Sequence, residues 1–139
     1  MKALPDVTIT STDRRRLVPL ATDALLSQGY SVAASMLLRE IARATVVPPG
    51  SLPPTVVRLN CEFEVRDNIN GMSERMRIVI PSEEDGCRHA ISVLSLVGAT
   101  LFGLSEGASI DWCTAARDRR SLTVLRVHGR AQEDALLRK

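Results

Sequence analysis

The sequence predicts an α+β protein: a short antiparallel helical hairpin, then an antiparallel sheet packed on one short helix. Three observations carry that reading. Apolar residues recur at helical spacing between about Thr12 and Thr45, the spacing changes to strict alternation after Thr55, and a proline-rich segment separates the two regimes. Between Ile91 and Trp112 the chain reads ISVLSLVGATLFGLSEGASIDW, in which alternation, a compact run and a second alternation follow one another. This stretch predicts strand, short helix over Val97–Leu104, glycine turn and strand, with Gly103 and Gly107 supplying the positive backbone dihedrals of a helix exit and a tight return.

In chain order, Leu4 to Ile9 is a short extended lead, and Ser11, Thr12 and Asp13 offer N-cap oxygens for a first helix running to about Gln28. Leu17, Leu20 or Ala21, Ala24 and Leu25 share a face, and Pro19 is expected to bend or interrupt the helix, because its ring removes an amide donor. Gly29 ends this helix and Ser31 caps a second, whose stripe is Ala34, Leu37 or Leu38, Ile41 and Ala44 or Thr45. So short a connection makes the two helices antiparallel neighbours.

Pro48, Pro49, Pro53 and Pro54 are four of the seven prolines in the chain, and neither a helix nor a central strand continues through them. The boundary is therefore placed after Val47, dividing residues 1–47, the hairpin, from 48–139, the sheet. Beyond it Val57, Leu59, Cys61, Phe63 and Val65 alternate with polar residues as a long half-buried strand. Asn70-Gly71 marks a hairpin turn, and Met76, Ile78 and Ile80 return along one face until Pro81. Ser82 to Gly86 is acidic but lacks the repeated oxygen spacing of a calcium loop, which leaves a solvated turn. After the central stretch, Ala115 to Ser121 reads as a polar loop, Leu122 to Val127 as the last strand, and Gly129 to Lys139 as a loose tail.

At 139 residues, 45% apolar and 24% charged, the composition is that of a globular chain. A net charge of +2 is too balanced to indicate nucleic-acid wrapping or attraction to a membrane surface. No run approaches the ~20 apolar residues of a membrane span and no leader pattern opens the chain, so a cytoplasmic protein is expected. Cys61, Cys87 and Cys113 are widely spaced without a CxxC pair, and they read as reduced structural thiols. No nucleophile with a base, paired carboxylates or metal-ligand spacing appears, so neither a catalytic site nor a cofactor is expected. His89 and His128 read as surface or strand-edge residues, and Trp112 as a packing residue with binding as its alternative.

Gly50-Ser51-Leu52-Pro53, the strand to Phe63, and above all the GATLFGLSEG run resemble the C-terminal domain of bacterial Gre-type transcript-cleavage factors, over Pro48 to about His128. The closer resemblance is to their relatives, the regulators of nucleoside diphosphate kinase (Rnk), whose short hairpin suits residues 1–47. The resemblance implies an FKBP-like fold and binding to bacterial RNA polymerase at its secondary channel. It places the docking segment at Leu94, Ser95 and Leu96, where the family's usual acid and Ser-Pro or Ala-Pro pair are absent, and Gly107-Ala108 replaces its common Gly-Asp. Gre factors carry acidic residues at the hairpin tip to hold magnesium, whereas this tip is Gln28, Gly29, Tyr30 and Ser31, with no carboxylate between Asp23 and Glu40. Without oxygen anions a hard cation gains nothing there, so transcript cleavage is not expected.

The reading is therefore a non-enzymatic regulator that occupies the channel, with no metal, no sequence-specific DNA binding and no membrane partner. Its alternative is an interaction or dimerisation module that has lost polymerase. A prolyl isomerase, the enzyme sharing the implied fold, needs an aromatic-lined pocket, and this chain has only Phe63, Phe102, Tyr30 and Trp112.

Overall fold

The computed structural model describes residues 5–27, 31–81, 89–113 and 116–130. The chain runs β1 (Thr8–Thr10), α1 (Ser11–Ser27), α2 (Val32–Arg43), β2 (Thr45–Val47), β3 (Cys61–Asp67), β4 (Ser73–Val79), β5 (Ala90–Ser92), α3 (Leu96–Leu101), β6 (Ser109–Cys113) and β7 (Arg119–Arg130). It is a mixed α+β fold with a hairpin of two helices and a curled five-stranded sheet.

Local chemistry sets the helix starts. Thr10 Oγ1 accepts the Asp13 amide at 3.0 Å, and Ser31 Oγ accepts the Ala34 amide at 3.1 Å, each satisfying a donor that the first helical turn leaves free. Leu17 and Ala21 of α1 face Ala34, Leu37 and Ile41 of α2 in the interior. α1 runs through Pro19 without interruption; Pro19 and Arg15 both lie on the exposed face, where a carbonyl without its helical donor is open to solvent and so costs little. The tip residues Gln28, Gly29 and Tyr30 lie outside the described residues.

α2 stops at Arg43, two residues before the expected end, because the chain turns at Ala44 into β2. β2 pairs in parallel with β1, Thr8 opposite Thr45 and Thr10 opposite Val47. That small ladder was not foreseen: three-residue strands carry too little alternation to be recognised, and their partner is thirty-odd residues away.

The larger sheet has the order β5-β4-β3-β7-β6. Its first strand is shorter than expected. Val56, Val57 and Leu59 are buried, but Asn60 turns the chain with φ +61 before pairing starts at Cys61. The Asn70-Gly71 turn forms as expected, with Gly71 at φ +77 and Asp67 Oδ1 accepting the Ile69 amide at 2.8 Å. β5 lies parallel to β4, Ile91 opposite Ile78, so the sheet is antiparallel except along this edge. The acidic segment 82–86 and Cys87 lie outside the described residues.

β7 is twice as long as the alternation indicated, and it starts within the expected polar loop. The register with β3 explains why. Val65 is opposite Val124, Glu64 opposite Arg126, Phe63 opposite Val127 and Glu62 opposite Gly129, so bulges insert extra residues and shift the alternation. Leu122 and Val124 are buried, and Val127 comes back against the core instead of staying with exposed Leu125.

The core is one continuous cluster. It takes Val7, Ile9, Leu17 and Leu37 from the first forty-seven residues and Phe63, Ile78, Leu101, Phe102 and Leu104 from the rest. α3 is therefore covered by the sheet on one side and by α2 on another. Among the described residues no helix is long and apolar enough to cross a membrane.

Candidate functional site

The segment between β5 and α3 is the best-defined candidate. Three backbone–side-chain bonds lock it. Ser95 Oγ donates to the Ser92 carbonyl at 2.6 Å and accepts the Gly98 amide at 3.0 Å, while Ser92 Oγ accepts the Leu94 amide at 3.0 Å. Val93 is anchored below by its amide on the Val79 carbonyl, at 2.8 Å, and its side chain is fully buried. Ser95 is thus the N-cap of α3, in extended conformation at φ −84, ψ 157.

Gly98 makes the tight turn possible. A Cβ there would lie 2.1 Å from the Ser92 carbonyl oxygen, far inside contact distance, so any other residue would push the helix off the strand end. The two leucines then divide. Leu94 packs against the core together with Val97, whereas Leu96 is half-buried and outside that cluster. The result is a tightly bonded, uncharged turn in which Leu96 is the apolar side chain not taken up by the core cluster.

The resemblance had marked Leu94, Ser95 and Leu96 but not Ser92 or Gly98, on which the geometry depends. Their signal was present as the spacing Ser92, Ser95, Gly98, a side-chain-capped turn ahead of a close approach. The expected helix at Val97–Leu104 is observed one residue earlier and ends at Leu101. Gly103 and Gly107, at φ +84 and +86, make the exit and the return.

The hairpin tip is flanked by apolar side chains. Leu26 is 81% exposed at the end of α1 and Val32 56% exposed at the start of α2. Ser31, the tip residue that is described, spends its side-chain oxygen on capping α2.

The remaining candidates do not converge. No group of three His, Cys, Asp or Glu side chains able to hold a metal occurs among the described residues. His89 is exposed with φ +67, and His128, which lies within β7 rather than beyond it, has Nε2 3.2 Å from Glu64 Oε2. Cys61 is buried and Cys113 exposed on the edge strand β6. Trp112 is half-buried against the core, with the Arg120 guanidinium 5.8 Å from its ring centroid.

A helical hairpin set on a curled sheet, with a short capped helix between them, is the architecture of the Gre-type factors, and the comparisons agree. Residues 52–129 match the family described as transcription elongation factor, GreA/GreB, C-terminal, and residues 5–47 match the Rnk N-terminus. The solved GreA/GreB factor of Nitrosomonas europaea superimposes with a TM-score of 0.67 at 31% identity, covering 88% of this chain and 98% of that one. The chain belongs to the Rnk and GreA/GreB family. Among curated proteins it is 31% identical over 112 residues to the regulator of nucleoside diphosphate kinase of Escherichia coli K12, covering 78% of each, and equally similar to that of Shigella flexneri. These relatives bear the names of regulators and factors.

Proposed function

We propose that this protein is a cytoplasmic, non-enzymatic transcription regulator. It binds RNA polymerase through the Ser92–Val97 turn and directs its hairpin into the secondary channel without promoting transcript cleavage. The observation that carries the reading is the pre-ordered turn at the position where the family docks, with Leu96 only partly buried and outside the core cluster. Because Ser92, Ser95 and Gly98 fix the backbone beforehand, little ordering entropy opposes association. The missing acid and proline are then replaced by apolar contact, and the carboxylate-free stretch between Asp23 and Glu40 removes the means of holding a catalytic magnesium ion.

The test is a reconstituted, stalled elongation complex. The chain is expected to co-purify with core polymerase, to leave the transcript uncut, and to inhibit a cleavage-competent Gre factor in competition. Transcript cleavage by the chain alone would overturn the assignment. The departure at Leu94-Ser95-Leu96 favours a second reading, an interaction module serving another partner or a second copy, and absence of polymerase binding would select it.

A further inference from the structure

α3 is approached by two distant segments at a single residue, Gly103, the one following its C-cap. Gly103 donates its amide to the Val57 carbonyl at 2.9 Å, and its own carbonyl accepts the Thr8 amide at 3.0 Å. Thr8 belongs to β1, which leads into the hairpin, and Val57 to the segment that leads into the sheet. The contact is too close for any side chain: a Cβ on Gly103 would lie 2.6 Å from Val7 Cγ1 and 3.3 Å from both Ile9 Cγ2 and the Thr8 carbonyl oxygen. Its φ of +84 excludes most residues a second time. Asparagine, which tolerates such a φ, is ruled out by the same clash.

Both ends of the hairpin are fastened to this point. β1 runs directly into α1, and β2, following α2, pairs with β1 while the Thr45 amide donates to the Val7 carbonyl at 2.8 Å. A second link lies farther up α3, where Thr100 Oγ1 is 3.0 Å from Met36 Sδ of α2. The docking turn starts the same helix, which at six residues is only about 9 Å long.

We infer that Gly103 is a positioning residue: by seating β1 against the exit of α3 it sets the direction of the hairpin relative to the Leu94–Leu96 turn, so that the two meet a partner as one rigid body. The placement is a property of the free chain. Only its consequence, that hairpin insertion follows from docking without a separate ordering step, rests on the proposed binding to polymerase.

Distances between spin labels in the isolated protein test this. Labels are placed at Leu26→Cys and Met72→Cys, both exposed, in a Cys87→Ser, Cys113→Ser background. One narrow distribution is expected. Gly103→Ala, which introduces the clash, should displace or broaden it, and so should Thr8→Pro, which removes the amide that bonds Gly103 and fixes φ at position 8 but adds no atom at Gly103. Both are to be read at a retained cooperative melt. If Gly103→Ala does not fold, Thr8→Pro alone decides. A broad distribution in the labelled parent, or an unchanged one in a folded Thr8→Pro, would overturn the inference. With polymerase, the folded variants should still bind through the turn but more weakly, and so compete less well with a Gre factor. If the parent fails to bind polymerase, the proposed function falls while the distances still decide the role of Gly103.

Discussion

The Thr100 hydroxyl sits between two helices, 2.7 Å from the Leu96 carbonyl of its own helix and 3.0 Å from the Met36 sulfur of α2. A hydroxyl has one proton, and the carbonyl is the closer and stronger acceptor, so the sulfur is held as a contact beside it. Thr100 is 2% exposed, and through it the hairpin touches the helix that starts at the Ser92–Val97 turn.

Thr100→Val keeps the shape and removes the hydroxyl. The Leu96 carbonyl retains its place in the helix, so a loss of about 0.5–1.5 kcal/mol is expected from denaturant titration. Met36→Leu, a near-isosteric change, should cost less than about 1.5 kcal/mol. The double variant should show coupling of about 0.5 kcal/mol or more, and strict additivity would mean that the two side chains do not interact in solution.

The capped turn gives a second pair of outcomes. Ser95→Ala loses both the acceptor for Gly98 and the donor to Ser92, and a destabilisation of about 0.5–2 kcal/mol is expected for the lost N-cap. Gly98→Ala must move the Ser92 carbonyl or the helix, and overpacking of this kind costs about 1–3 kcal/mol. Thermal melts in which Gly98→Ala matches the parent would show that the strand end yields easily.

Much of this was legible in the sequence because each element repeats its signal. Leu17 and Ala21, Ala34, Leu37 and Ile41, and Phe63 and Val65 each declare a face several times over. What escaped was carried by single residues or by contacts distant in sequence. The left-handed turn at Asn60 looks like one more polar position in an alternating strand, and the β7 bulges cancel the alternation that would have revealed its length. The seat of β1 on Gly103 joins residues nearly a hundred positions apart, and nothing local announces it. For the turn between β5 and α3, Leu94, Ser95 and Leu96 were singled out by resemblance, while the parts of Ser92 and Gly98 in holding it required the geometry.

The fragment 48–139 offers a test of how far the sheet stands alone. It keeps β3 to β7, α3 and most of the buried cluster, but loses Val7 and Ile9 over Gly103 and Leu37 and Ile41 of α2. A cooperative thermal transition is expected, at a lower temperature than in the full chain, since the apolar surface uncovered around α3 forfeits roughly 25 cal/mol per Å². The absence of any transition would mean that the hairpin is required for the sheet to fold.

The last prediction separates the two leucines of the turn. Leu94 packs against the core beside buried Val93, so Leu94→Asp places an unpaired charge against apolar neighbours and should lower the melting temperature strongly, whatever it does to binding. Leu96 is half-buried outside the cluster, and Leu96→Asp should leave the melt nearly unchanged while weakening polymerase binding by about 2–5 kcal/mol, the cost of an uncompensated charge in a closed interface. With an apolar anchor in place of the family's acid, binding by the unaltered chain should also depend only weakly on salt, because few screened charge pairs contribute. Equilibrium binding to core polymerase at low and high salt, paired with melting curves for both variants, measures all of these. If Leu96→Asp melts with Leu94→Asp, the side chain belongs to the interior and the turn has no anchor to offer. If it folds and still binds like the parent, docking lies elsewhere on the chain.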